Sequence, residues 1–329
     1  MTDTDFRSAI RDALDEELAR DERVIFFGED VAKPGGVFAA TSGLWDTHGD
    51  ERVFDTPISE LAITGAAFGS AVCGLRPVIE IMFGDFLLLA TDGLVNQAAK
   101  YWYLSNEQAS VPLVVRSAVG GGGRFGAIHS QIPVPWFHAV AGMKIVAPST
   151  PGDAKALLKA SIRDDNPVIF IEHESLYGVR GEVPEGEDEV LRFGEAAVRR
   201  EGGDVTIVGV LKMAQVAEQA AAKLAEEHGV EAEVIDPRTL RPLDLDTILE
   251  SVRKTNRVVI VEEGWPHGGV GANLSTLITE QAFDHLDAPV QRVTGADVHM
   301  PYSRRLEQAA IPHEEHVVKA ALAALEGSI

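Results

Sequence analysis

With 329 residues, 45% of them hydrophobic, the chain is long enough for about two domains of ordinary size, each with its own core. Its 51 acidic against 29 basic residues give a formal charge of −22, which repels phosphate backbones and argues against nucleic acid; a basic protein partner or a plain solvated surface suits it better. The single cysteine, Cys73, excludes an intrachain disulfide.

At the N-terminus, residues 1–17 carry several acids and no apolar signal region, so a cytoplasmic protein is expected. Short apolar runs at 24–27, 78–83, 112–115, 144–147 and 168–171 then predict buried strands, with helical patterns between them. Continuous apolar strands separated by helices are the pattern of a parallel sheet covered on both faces, because each parallel neighbour needs a crossover. The longest apolar stretch, around Phe86 to Val95, is broken by Asp92 and falls far short of the roughly 18 residues a membrane span needs, so no membrane partner is expected.

Gly181-Glu-Val-Pro-Glu-Gly-Glu-Asp188 is acidic, rich in Gly and Pro, and without an apolar period. It predicts a first domain over residues 1–180, a linker over 181–200 and a second, smaller α/β domain over 201–329. In that second part the alternation resumes: strands at 205–210, 234–235, 257–261 and near 290–293, with helices over 214–228, 245–254 and 272–283.

Several segments could carry chemistry. Thr56-Pro-Ile-Ser-Glu60 leads into a small-residue helix with Ser59 as its N-cap and Glu60 in its first turn. On local sequence alone Glu60 reads as an acid favoured by the helix dipole. Glu29 reads as a strand-end acid, Phe86 as a core aromatic, and His129, at the end of a glycine-rich segment, as a histidine on a surface loop. Ser161, Ile162, Asp164 and Asn166 mark a helix end closed before Pro167. Gly269-Val-Gly271 lacks the third glycine of a dinucleotide fingerprint, and His313-Glu-Glu-His316 lacks the spacing of a zinc-protease helix.

Taken in series, Gly28-Glu-Asp30, Thr56-Pro-Ile-Ser-Glu60, Gly74-Leu-Arg-Pro77, Asn96-Gln-Ala-Ala-Lys100, His129-Ser-Gln131 and Val146-Ala-Pro-Ser-Thr-Pro151 follow a family order and spacing. Ile162-Arg-Asp-Asp-Asn-Pro167, Asp236-Pro-Arg-Thr-Leu-Arg-Pro-Leu-Asp244 and Val261-Glu-Glu-Gly264 continue it. The chain resembles the β subunits of thiamine-diphosphate-dependent 2-oxo acid dehydrogenases, over nearly its whole length.

The resemblance implies a pyrimidine-binding domain followed by a transketolase C-terminal-like domain, with oxidative decarboxylation of pyruvate or a related 2-oxo acid and reductive acylation of a lipoyl group. Acetoin and branched-chain 2-oxo acid members are the alternatives, and a split transketolase-like enzyme is a remote one. By the resemblance, Glu60 hydrogen-bonds the aminopyrimidine ring of thiamine diphosphate, a role that suits a carboxyl whose pKa burial raises. Glu29 links the two cofactor sites of a tetramer, Phe86 lies against the aminopyrimidine face, and His129 acts on the carbonyl-derived intermediate and in acyl transfer. Ser161, Ile162, Asp164 and Asn166 match the segment where several members bind potassium. The sequence has Gly84-Asp-Phe86 but no Gly-Asp-Gly of the kind that holds magnesium and a diphosphate. The family pattern assigns that site to an alpha subunit, two alpha and two beta chains forming the tetramer, with a lipoyl-bearing dihydrolipoyl acyltransferase as the further partner. Ile132-Pro-Val-Pro-Trp136 and His299 depart from the usual pattern.

Overall fold

The computed structural model describes residues 1–184, 186 and 189–327. Two compact units divide the chain: residues 1–119 with 136–193, and residues 120–135 with the remainder from 194.

In the first unit, β1 (Val24–Gly28), β2 (Val53–Asp55), β3 (Arg76–Phe83), β4 (Val114–Val119), β5 (Lys144–Val146) and β6 (Val168–His173) lie in the order β5-β6-β4-β3-β1-β2, every neighbouring pair parallel. The apolar runs become strands because both faces are covered: β1, β4 and β6 are buried at every position. The 112–115 run begins its strand two residues later than expected, at Val114, and continues to Val119. Helix α1 (Phe6–Arg20) starts where the Asp5 carboxylate accepts the Ser8 backbone N–H at 2.8 Å. It buries Phe6, Ile10 and Leu14 in the same core as Phe26, Val114, Leu157 and Phe170. Fully burying each such side chain contributes about 1.5–3 kcal/mol. Helix α2 (Glu60–Val72) begins at the predicted residue, with Ser59 at the N-cap position, but the Ser59 side chain makes no capping hydrogen bond. Helix α3 (Pro151–Arg163) starts from a Thr150 cap with Pro151 in its first turn and packs on α1.

The second unit contains β7 (Ala197–Arg200), β8 (Val205–Gly209), β9 (Ala232–Asp236), β10 (Val258–Val261) and β11 (Gln291–Val293), in the order β11-β10-β8-β9-β7. All pairs are parallel except β7 with β9. Helices α4 (Lys212–His228), α5 (Leu245–Thr255), α6 (Val270–Ala282), α7 (Arg304–Ala310) and α8 (Glu314–Leu325) complete it. Two apolar clusters cover the sheet, one around Ile207, Val234 and Val317 and the other around Val208, Ile235 and Ile260.

The predicted linker over 181–200 is ordered at both ends. Residues Arg180–Val183 form a strand paired antiparallel with Thr2–Asp5, and β7 is an edge strand of the second sheet. In both places an available strand edge satisfies backbone groups that a free linker would leave to water. Glu185, Glu187 and Asp188 of that segment lie outside the described residues. Residues 120–135 cluster with the second unit, although they lie within the span predicted for the first domain. Among the described residues, no helix is long and apolar enough to cross a membrane.

Candidate active site

Parallel strands all end at one edge of their sheet, and segments leaving adjacent ends emerge together. In the first unit, β2, β1 and β3 are consecutive neighbours, with Gly28 in register with Asp55 on one side and Glu80 on the other. The residues that follow these strands include Glu29 after β1, Thr56 to Glu60 after β2, and Phe86 after β3. The sheet thus brings Glu29, Glu60 and Phe86 to its carboxyl edge. Gly28 is required at the turn-off, since a Cβ there would lie 2.7 Å from the Glu80 carbonyl oxygen. Immediately beyond Glu29 the chain turns through Asp30 at φ 55°, and the Thr56 backbone N–H donates to the Gly28 carbonyl at 2.9 Å.

Both carboxylates are buried, Glu29 at 9% and Glu60 at 7% exposure. Burial, then the negative charges of Glu60 and Asp30, push the Glu29 carboxyl above its ordinary pKa, and the Ser59 backbone N–H offsets part of that rise. Glu29 Oε1 and Thr56 Oγ1 are buried without a hydrogen-bond partner. An unpartnered buried polar atom costs about 1–3 kcal/mol, so the carboxylate oxygen favours a ligand that brings a donor, and the hydroxyl one that donates or accepts. Phe86 is half-buried, its ring edge-on to Phe83 at 6.1 Å.

His129 lies in the second unit, on the loop over residues 120–135. It is half-buried, and its backbone N–H donates to the Gly126 carbonyl at 3.4 Å. Gly126, at φ +76°, passes the Tyr302 ring so closely that a Cβ would sit 2.2 Å from it.

At the end of α3, the Ile162 and Asp164 oxygens offered for potassium are already engaged. Arg76 donates to the Ile162 carbonyl and the Asp164 carbonyl, each at 2.8 Å, and to the Asp165 carboxylate at 2.9 Å. Lys144 pairs with the Asp164 carboxylate, whose other oxygen accepts from the Asn166 backbone at 2.8 Å and its side-chain amide at 2.9 Å. The Ser161 hydroxyl donates to the Leu157 carbonyl at 2.7 Å. Two protein cations supply the positive charge here, so this arrangement fits a potassium ion poorly.

Sequence reasoning missed a charged network beneath this edge. Arg116, 1% exposed, grips Glu172 through Nε at 2.7 Å and Nη2 at 2.8 Å, and reaches Glu80 at 2.8 Å. The Tyr177 hydroxyl donates to Glu172 at 2.8 Å. Burial raises the Glu80 and Tyr177 pKa values, whereas the attraction of Glu172 and Glu80 holds the guanidinium proton on Arg116 against its own desolvation. The network ties β3, β4 and β6 together, with Glu80 in register beside Gly28 and so next to Glu29. Its signal in the sequence was a charge inside each of three apolar strands, with Glu80 and Arg116 falling opposite one another.

The family model described as the transketolase pyrimidine binding domain matches residues 2–180, and that of the transketolase C-terminal domain matches residues 194–317. The mitochondrial pyruvate dehydrogenase E1 component subunit beta of Dictyostelium discoideum is 46% identical over 318 residues, covering 96% of this chain and 89% of that protein. The acetoin:2,6-dichlorophenolindophenol oxidoreductase subunit beta of Cupriavidus necator is 45% identical over 329 residues, covering 97% of this chain and 96% of its own length. Among solved structures, a split-gene transketolase described as an inactive beta4 tetramer aligns with TM-score 0.79 and 25% identity, over 98% of this chain and 99% of that one. With both domain models in order and such relatives aligned almost end to end, the chain belongs to the β-subunit family of the thiamine-diphosphate-dependent 2-oxo acid dehydrogenases.

Proposed function

We propose that this chain is the β subunit of a 2-oxo acid dehydrogenase decarboxylase component acting on pyruvate, with an alpha subunit completing the active site. The observation that carries this reading is the pair of buried carboxylates, Glu29 and Glu60, on segments that leave adjacent strand ends, with Glu29 Oε1 and the nearby Thr56 hydroxyl unpartnered. An aminopyrimidine edge, which offers an amino donor beside a ring nitrogen, fits that polarity. When bound, thiamine diphosphate supplies the electron sink for cleaving the bond next to the substrate carbonyl. Glu60 holds and shares a proton at the ring nitrogen, Glu29 sets the charge around it, and Phe86 offers a flat apolar face. His129 moves a proton during acyl transfer to the lipoyl arm of a dihydrolipoyl acyltransferase. The magnesium ion and the diphosphate fall to the alpha subunit, because the sequence lacks a Gly-Asp-Gly segment.

The test is decarboxylation with an artificial electron acceptor, using this chain co-expressed with its alpha subunit and supplied with thiamine diphosphate and magnesium. Pyruvate is expected to be turned over fastest, and this chain alone to be inactive. A preference for acetoin would favour the second reading, which the Cupriavidus necator relative supports. Transfer of a two-carbon unit to a sugar phosphate, without any lipoyl acceptor, would replace both with a transketolase-like activity.

Glu29→Gln is expected to raise Tm while lowering turnover. The folded-state pKa of Glu29 is raised, so ionisation at neutral pH works against the fold. The stability gained by the neutral amide should appear as pH rises through that raised value and vanish below the ordinary carboxylate range, where Glu29 is protonated folded and unfolded alike. Thermal melts across pH check this, and a Tm gain that persists unchanged into acid would contradict it.

A further inference from the structure

Open parallel sheets take ligands in the crevice outside their carboxyl strand ends, where successive connections run in opposite directions. In the second unit that point lies between β8 and β10, because the chain goes from β8 to β9 on one side and then to β10 on the other. The crevice is taken by the chain's own 120–135 loop. Ile132, Val134 and Pro135 face Val210, Leu211 and Val270 around a residual cavity of only about 20 Å³.

Polar anchors hold the other arm of the same loop. Glu263, just after β10, accepts the Gly121 backbone N–H on Oε1 at 2.6 Å. Glu307, on α7, accepts the backbone N–H groups of Gly122 at 3.0 Å and Arg124 at 2.8 Å on its own Oε1. The two carboxylates are 8% and 1% exposed. Buried carboxylates accepting backbone N–H groups make charge-assisted bonds, roughly twice as strong as neutral ones. The loop they fix carries His129 five residues beyond Arg124.

We propose that Glu307, with Glu263, is a positioning residue for acyl transfer: the second unit binds the His129 loop as an internal ligand and so sets where the imidazole stands. This rests on the assignment of His129 to acyl transfer. Glu307 touches neither substrate nor cofactor in this proposal; it acts through the loop backbone.

The test uses the intact assembly with its alpha subunit and compares wild type, Glu307→Ala, Glu307→Gln and His129→Ala. In Glu307→Ala, the amides of Gly122 and Arg124 should exchange with deuterium about tenfold faster or more, as expected for the loss of their two bonds to a charged acceptor, while Gly121 stays held by Glu263. The kcat for acyl transfer to lipoyl substrate should fall about 10²-fold, the scale of an ångström of misplacement, with KM for the 2-oxo acid little changed. Glu307→Gln keeps one oxygen able to accept both N–H groups and should restore most of both readouts. Faster exchange with transfer unchanged, in a preparation where His129→Ala does abolish transfer, would overturn the positioning role. Unchanged exchange would overturn the anchor itself. Transfer that survives His129→Ala overturns the His129 assignment and the proposal with it, and is distinguished from anchor failure by exchange that still responds to Glu307→Ala. Should Glu307→Ala not assemble, wild-type exchange decides: protection of 121–124 supports the anchor, and exchange at the rate of an unstructured peptide refutes it.

Discussion

Glu60→Gln is expected to lower turnover of the assembled enzyme by about 10²–10⁴-fold, the usual worth of a positioned proton-transfer group. The substitution preserves shape and keeps a hydrogen-bonding head, so packing at the start of α2 should hold: the Thr64 hydroxyl bonds the Glu60 main-chain carbonyl at 2.7 Å, not its side chain. What the amide cannot do is give and take a proton at neutral pH. The loss should therefore appear in kcat with KM nearly unchanged, the pattern of an interaction made in the transition state and absent from the ground state. Steady-state kinetics on the assembly check it, and turnover within about threefold of wild type, far inside the range for such groups, would remove Glu60 from the chemistry.

Arg116→Met is expected to cost about 3–5 kcal/mol, because it leaves Glu80 and Glu172 buried without their counter-charge. Three carboxylate oxygens lose guanidinium donors at 2.7–2.8 Å, and methionine refills most of the volume without replacing any of them. Packing loss is thus small and the electrostatic loss dominates. Neutralising Glu80 and Glu172 to Gln in the same chain should recover a large part, since the penalty lies in the orphaned charges and the pair itself adds little net stability. Denaturant unfolding of wild type, the single variant and the triple variant checks both statements. A single substitution that costs nothing would contradict the view that Arg116 compensates buried charge on Glu80 and Glu172.

How much was legible in the sequence depended on the range of the interactions. The strands were legible because a sheet covered on both faces needs largely apolar runs: β1 is unbroken, and β3 and β6 are interrupted only by Arg76, Glu80, Glu172 and His173. The start of α2 was legible from Ser59 and Glu60, but neither the missing cap bond nor the Ser59 backbone N–H donating to Glu29, thirty residues upstream in sequence, was. Polar edge strands escaped: Ala-Val-Arg-Arg over β7 carries no buried face of its own and pairs only because β9 offers an edge. The Glu80 and Arg116 pair was visible in principle once the parallel register was known, but register comes from the sheet and not from either strand.

The site residues divide in the same way. Glu29 and Glu60 were named from ordered motifs and Phe86 from its place in the resemblance, while their meeting at one sheet edge follows from β2, β1 and β3 being neighbours, which no local pattern states. Placement of residues 120–135 in the second unit was invisible, because Gly122 and Glu307 stand 185 positions apart in sequence. The potassium reading came from the resemblance, which matches residue types along one segment and carries nothing about what packs against it. Arg76 and Lys144, which engage those oxygens, are far from them in sequence.

With thiamine diphosphate bound, the role proposed for Glu60 at the aminopyrimidine ring would make the thiazolium C2 proton labile. The most direct test of that role is the rate of exchange of that proton with deuterium oxide, followed by proton NMR on the cofactor released from the assembled enzyme after acid quench. The account predicts fast exchange in wild type and slowing by about 10²-fold or more in Glu60→Gln at equal cofactor occupancy. Equal rates in the two proteins would contradict it and leave Glu60 as a first-turn acid favoured by the helix dipole.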